Sequence, residues 1–152
     1  MKLTVVAVGA LRDRPMREAA DDYVARLTRY ARATELEIPD RDGDSALVEA
    51  VNKCRARGAS IVALESDGEQ MTSPGFARFV ERLGSRGKGE IAFVLGGREG
   101  LPTSVRSIAD NVVSFGLMTL PHRLARVVLF EQLYRAMTIL RGEPYGETTS
   151  RR

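Results

Sequence analysis

Three runs of this chain, Lys2 to Val8, Ser60 to Glu65 and Glu90 to Leu95, each start on a polar residue and are then apolar almost throughout. A strand with one wet face alternates apolar and polar residues, so strands without that alternation must be covered on both faces. Helical patterns separate the runs, and alternating strands and helices of this kind build a mainly parallel sheet with helices on both faces. The fold class expected is therefore α/β. The whole chain, residues 1–152, reads as one domain, with neither an internal repeat nor a linker.

The spacing places the elements in detail. After the first strand ends at Gly9, a helix is expected over Arg14 to Ala31, with Met16, Ala20, Tyr23, Val24 and Leu27 on one face. A short strand from Glu35 to Ile38 stops at Pro39, and a helix follows from Ser45 to Arg57, ended by Gly58. Beyond the strand Ser60 to Glu65, Ser73 reads as a helix N-cap with Pro74 in the first turn. After Glu90 to Leu95 come a short helix over Thr103 to Ala109, a strand over Asn111 to Phe115 and a final helix over Leu124 to Leu140. That last helix is apolar nearly all round, so it should be covered on more than one side, and a second subunit is the expected cover.

Composition removes several classes of function. Hydrophobic residues make up 43% and charged residues 28%, as in a globular protein. A single cysteine, Cys54, allows no internal disulfide, and one cysteine with one distant histidine makes no usual zinc site, so no metal and a reducing cytoplasm are expected. Cys54 itself reads as a small buried hydrophobe. No apolar stretch is long enough to cross a bilayer, and Met1 to Ala10 reads as a core strand rather than a leader. Arginine greatly outnumbers lysine and the pI is near 9.3, which permits a polyanion partner such as RNA.

The fourth strand stops in Leu95-Gly96-Gly97-Arg98-Glu99-Gly100. A dinucleotide fingerprint belongs after the first strand and spaces its glycines differently, and a phosphate loop ends in Gly-Lys-Ser or Gly-Lys-Thr. Neither pattern is met, and a plain tight turn remains open on composition alone. The later bend Gly116-Leu117-Met118-Thr119-Leu120-Pro121 offers backbone polar groups between aliphatic side chains, which suits a flat adenine ring.

Several motifs run through the chain in a fixed order. They are Met1-Lys2-Leu3, Val6-Ala7-Val8-Gly9, Ala63-Leu64-Glu65, the glycine loop continuing to Leu101, Thr119-Leu120-Pro121-His122, and Glu131-Gln132-Leu133-Tyr134-Arg135-Ala136. Together they resemble the small bacterial 23S ribosomal RNA pseudouridine-N3 methyltransferases, of the SPOUT class, over essentially the whole chain.

The resemblance implies a C-terminal deep trefoil knot, a homodimer, and S-adenosylmethionine as cofactor. Its substrate would be large-subunit ribosomal RNA or the ribosome, methylated at N3 of a pseudouridine with no metal. Carried over by motif, Leu64 would lie beside the cofactor and Gly97 would let the backbone approach it. Gly116, Leu117, Met118, Thr119, Leu120 and Pro121 would wrap its adenine and methionine parts. The family's tail typically reads Pro-Tyr-His and a basic residue, whereas this chain has Pro144-Tyr145-Gly146-Glu147. Tyr145 is retained as a catalytic candidate, with Arg151 or Arg152 as a displaced cation.

Three expectations come from position alone. His122 should hydrogen-bond the loop or cap the last helix rather than act as a general base, Arg123 and Arg126 are candidates to hold RNA phosphates against the default of an exposed face, and Glu131 should pair with Arg135 four residues on. The altered tail also admits a noncatalytic ribosome-binding or RNA-binding module that retains the cofactor fold. A dehydrogenase-like nucleotide binder is the third class, disfavoured by the position of its glycines.

Overall fold

The computed structural model describes residues 1–147. Five strands, β1 (Lys2–Val8), β2 (Arg32–Ile38), β3 (Ser60–Gln70), β4 (Glu90–Leu95) and β5 (Asn111–Ser114), form one sheet in the order β2-β1-β4-β3-β5, with every strand pair parallel. Helices α1 (Arg14–Leu27), α3 (Ser73–Gly84) and α5 (His122–Leu140) cover one face, and α2 (Gly43–Ala56) and α4 (Thr103–Arg106) the other. A short α6 (Pro144–Glu147) closes the described chain against α5. The expected mainly parallel sheet, helix-covered on both faces, is what the chain forms.

Alternation along β1 explains the two layers. Leu3, Val5 and Ala7 enter the core shared with α1, α3 and α5, while Val6 enters the core under α2 with Leu47, Val51 and Cys54. Every residue of β4 is buried, as a central strand requires. Cys54 is 1% exposed, and burial pushes its thiol pKa up, the state of an inert core residue.

Local departures from the sequence reading have visible causes. Helix α1 stops at Leu27, not Ala31, because the backbone N–H of Arg32 already joins the sheet through the carbonyl of Met1. Strand β2 begins at Arg32, earlier than Glu35, since an edge strand with exposed residues lacks an apolar signature. Thr72, not Ser73, caps α3: its hydroxyl accepts the N–H of Gly75 at 3.1 Å. Ser73 instead donates to Gln132 of α5.

Strand β3 runs five residues past Glu65 because its pairing with β5 resumes after a gap. Leu64 and Glu69 both register with Val113, so residues 65–68 loop out of the ladder. At Gly68 the chain passes so close to β5 that a Cβ would lie 2.7 Å from the Val113 carbonyl carbon. Helix α5 lies between α1 and α3 on the sheet, so this chain itself covers much of its apolar surface. Leu124, Val127 and Val128 remain half-buried.

Candidate active site

A cleft of about 620 Å³ opens at the carboxyl ends of β3, β4 and β5. Its floor comes from Leu64, Leu95 and Val113 at the strand ends. One wall is the glycine loop after β4, the other the bend after β5 together with the first turn of α5. The two glycine-bearing segments, separate in sequence, therefore meet across one cavity. Ligand sites of open parallel sheets lie at this edge, where strand-end backbone groups have left the ladder.

Each loop is held by a specific polar contact. Gly97 and Gly100 form an antiparallel bridge, with the Gly100 N–H donating to the Gly97 carbonyl at 3.1 Å. The carboxylate of Glu65 accepts the N–H of Leu101 at 3.2 Å and so fixes the far end of the loop to β3. In the second loop, buried Ser114 accepts the Gly116 N–H at 3.0 Å, and its hydroxyl lies within 3.1 Å of the Ser66 carbonyl. Glu65, Ser66 and Ser114 also line the cleft.

The glycines have distinct reasons. A Cβ at Gly96 would lie 2.3 Å from the Gly100 carbonyl carbon, so the turn cannot close with any side chain there. At Gly97 a Cβ would meet Val8 at 3.1 Å, so close packing on the end of β1, as well as its place in the cleft wall, favours glycine. Gly116 has φ of +140°, a conformation that L side chains rarely adopt.

Of the residues singled out from the sequence, Leu64, Gly97, Gly116, Met118, Thr119, Leu120, Pro121 and Arg123 line the cleft. Leu117 is not among the lining residues and is 82% exposed. His122 lines the cleft as the first residue of α5 but does not cap it, since no side chain bonds that terminus.

Arg126 must be corrected. It is 1% exposed, and its guanidinium is occupied by carboxylates and carbonyls of the opposite half of the sheet. Nη1 donates to Glu35 at 3.0 Å and Glu37 at 2.5 Å, and Nη2 to the carbonyl of Gly9 at 2.8 Å. Such a guanidinium cannot reach an RNA phosphate.

Tyr145 also lies away from the cleft, on α6. Its hydroxyl donates to Glu131 at 2.9 Å, its ring centroid is 4.6 Å from that of Tyr134, and Arg135 lies over it at 4.8 Å. Burial, with Glu131 adjacent, pushes its phenol pKa well above the ordinary value. The expected Glu131–Arg135 pair is present, at 2.5 Å. Arg151 and Arg152 lie outside the described residues.

Sequence reasoning gave no ligand-facing role to Arg98 or Ser114, and none to Glu65 beyond its motif. Serine, glutamate and arginine at loop boundaries carry no spacing signal. Among the described residues no group of histidine, cysteine, aspartate and glutamate is placed to hold a metal ion.

The sheet order and this cleft define an α/β protein of the class that binds nucleotide-like ligands at its carboxyl edge. The chain belongs to the SPOUT methyltransferase family: the family model described as predicted SPOUT methyltransferase matches residues 1–146. It is 51% identical over 146 residues to the ribosomal RNA large subunit methyltransferase H of Sorangium cellulosum, covering 96% of this chain and 99% of that one. Identity to the protein of the same name from Shouchella clausii is 39% over 157 residues, covering 95% and 99%. The fold is similar to that of a probable methyltransferase from Bordetella pertussis, with a TM-score of 0.55, 12% identity and coverage of 90% and 95%.

Proposed function

We infer that the protein transfers a methyl group from S-adenosylmethionine to N3 of a pseudouridine in large-subunit ribosomal RNA. The observation that carries this reading is the convergence of the loops after β4 and β5 on one apolar, backbone-rich cleft. The cleft suits the donor: Leu64, Leu95, Val113 and Leu120 offer surface to a flat purine, and the loops leave little side-chain bulk in the way. The family and the two ribosomal RNA methyltransferases to which the chain is similar support the substrate class.

Bound there, the donor supplies an electrophilic methyl on its sulfonium. The protein's part is to align the acceptor nitrogen with that methyl, to exclude water and to remove the N3 proton. Glu65 is engaged by the N–H of Leu101, whereas His122 stands in the cleft without capping its helix. The imidazole of His122 is accordingly assigned as proton acceptor. Tyr145 would have to leave Glu131 to touch the base.

The same reading includes a homodimer working in the cytoplasm and the deep trefoil knot. Half-buried Leu124, Val127 and Val128 on α5 support a second copy, and the close crossing of Gly68 over Val113 supports a tightly threaded chain. Sedimentation should give a mass twice that of the chain; a monomer at all concentrations would refute the dimer.

A noncatalytic ribosome-binding module is the second reading, and Tyr145 turned toward Glu131 favours it. Methyl transfer to ribosomal particles with and without the pseudouridine separates the two. Labelling that needs both donor and pseudouridine supports the enzyme; binding without labelling supports the module.

A further inference from the structure

Two arginines line the cleft on different walls, Arg98 in the glycine loop and Arg123 in the first turn of α5. Both are exposed, and among the described residues no carboxylate lies within ion-pair distance of either. Their neighbours at the same edge differ. Arg106, just beyond the glycine loop, is paired with Asp67 at 2.9 Å, and Arg126, one turn along α5, is held by Glu35 and Glu37. Elsewhere Arg17, Arg55 and Arg57 are likewise matched by Glu35, Asp110 and Glu90.

Unpaired cations facing each other across a cavity repel and gain nothing from the protein, so their placement is explained by an anion brought from outside. Arginine suits phosphate because its planar fork gives two parallel hydrogen bonds. Met118, 86% exposed and also in the cleft wall, adds an apolar surface on which a nucleobase can rest.

We propose that Arg98 and Arg123 grip the phosphates on either side of the target nucleotide and hold single-stranded RNA across the mouth of the cleft. This rests on the reading of the cleft as a methyl-transfer site and assigns its substrate side. Arg98 is a contact absent from the residues first singled out, and Arg126 has no part in it. Phosphate contacts of this kind fix register without reading sequence, so the target base would be chosen by what enters the cleft.

The test compares wild type with Arg98→Gln, Arg123→Gln and the double variant. Calorimetry measures S-adenosylmethionine affinity, and filter binding to large ribosomal subunits is followed from about 50 to about 200 mM salt. Donor affinity should stay within about twofold, while subunit binding weakens about tenfold for each arginine removed. The slope of log affinity against log salt should become shallower by about 0.7 per arginine. Arg98→Lys should recover part of the loss, since a cation remains but the fork does not.

Unchanged subunit binding and slope in the double variant would overturn the proposal. So would loss of donor affinity, which would assign the arginines to the donor. Salt-dependent binding through both arginines in a protein that takes up no donor would leave the grip standing and sink the methyl-transfer reading instead.

Discussion

At the β2–β1 end of the sheet's carboxyl edge the space is filled by side chains, whereas at the β4–β3–β5 end it is open. On the filled side Arg126 meets Glu35 and Glu37, Arg17 meets Glu35, and the carbonyl of Gly9 accepts from Arg126. On the open side Arg98 and Arg123 stand at a cleft of about 620 Å³ with no ion-pair partner among the described residues. Strand polarity is the same at both ends, so the edge alone does not make a ligand site. The difference is whether the chain cancels its own charge there. A closed network is a structural joint; an uncancelled one waits for a partner.

The largest effect expected from breaking this contrast is at the joint. Arg126→Ala leaves a cavity and takes a partner from the Gly9 carbonyl and from Glu35 and Glu37, which keep only Arg17 as a cation, and loss of one partner from a buried ion pair costs about 3 to 5 kcal/mol. Urea unfolding should report a loss toward the lower end, because the side chain of Glu37 remains 35% exposed. A change below about 1 kcal/mol would mean the network is not a joint.

On the open side, Gly96→Ala should spare the fold more and the ligand less. Its Cβ would strike the backbone of Gly100, so the turn must open. Donor affinity should fall by about tenfold or more by calorimetry, with a stability loss of about 1 to 3 kcal/mol. His122→Gln should lower kcat more than the donor's dissociation constant rises, with the pH profile of kcat flattened. An unaltered pH profile would remove His122 as proton acceptor.

Acid offers a graded test of the joint. Burial raises the Glu37 pKa, but the Leu11 N–H and Arg126 outweigh it and hold the carboxyl below its ordinary value of 4.5. A carboxylate with a depressed folded pKa contributes stability above its unfolded value and loses it as pH falls through the folded one. The difference in Tm between wild type and Glu37→Gln should therefore be greatest near neutrality and shrink below about pH 4. A constant difference would mean the charge of Glu37 is not what Arg126 uses.

The smallest effect is expected in the tail. Tyr145→Phe removes one hydrogen bond to Glu131 and should cost about 1 kcal/mol or less. Gly146→His is more disruptive locally, since a Cβ there would lie 2.5 Å from Ile139, and α6 would have to leave α5. If that variant raises turnover, the docked tail holds the enzyme back.

The sheet and the cleft loops were legible in the sequence because both follow from repeating patterns. Apolar runs gave β1, β3 and β4, a glycine cluster gave the loop after β4, and aliphatic residues around a glycine-proline bend gave the one after β5. What escaped lacked a pattern. The polar edge strand β2 was half missed, and the continuation of β3 through Gln70 depends on a register gap that only pairing with β5 creates. Arg123 and Arg126 sit three residues apart on one helix, and their sequence context separates them poorly. Only the fold turns one toward the cleft and buries the other under β1 and β2. Leu117 and Met118 are adjacent aliphatic residues of one bend, and nothing in their sequence says which of them lines the cleft.

Arg126 also joins parts of the chain made at very different times. Its bonds to the carbonyls of Val8 and Gly9 span 118 and 117 residues. A nascent chain released before α5 carries Glu35 and Glu37 without their guanidinium and lacks the helix that covers α1 and α3. Such a fragment would leave acidic and apolar surface uncovered, so the core on this face of the sheet closes only when the last long helix has been made.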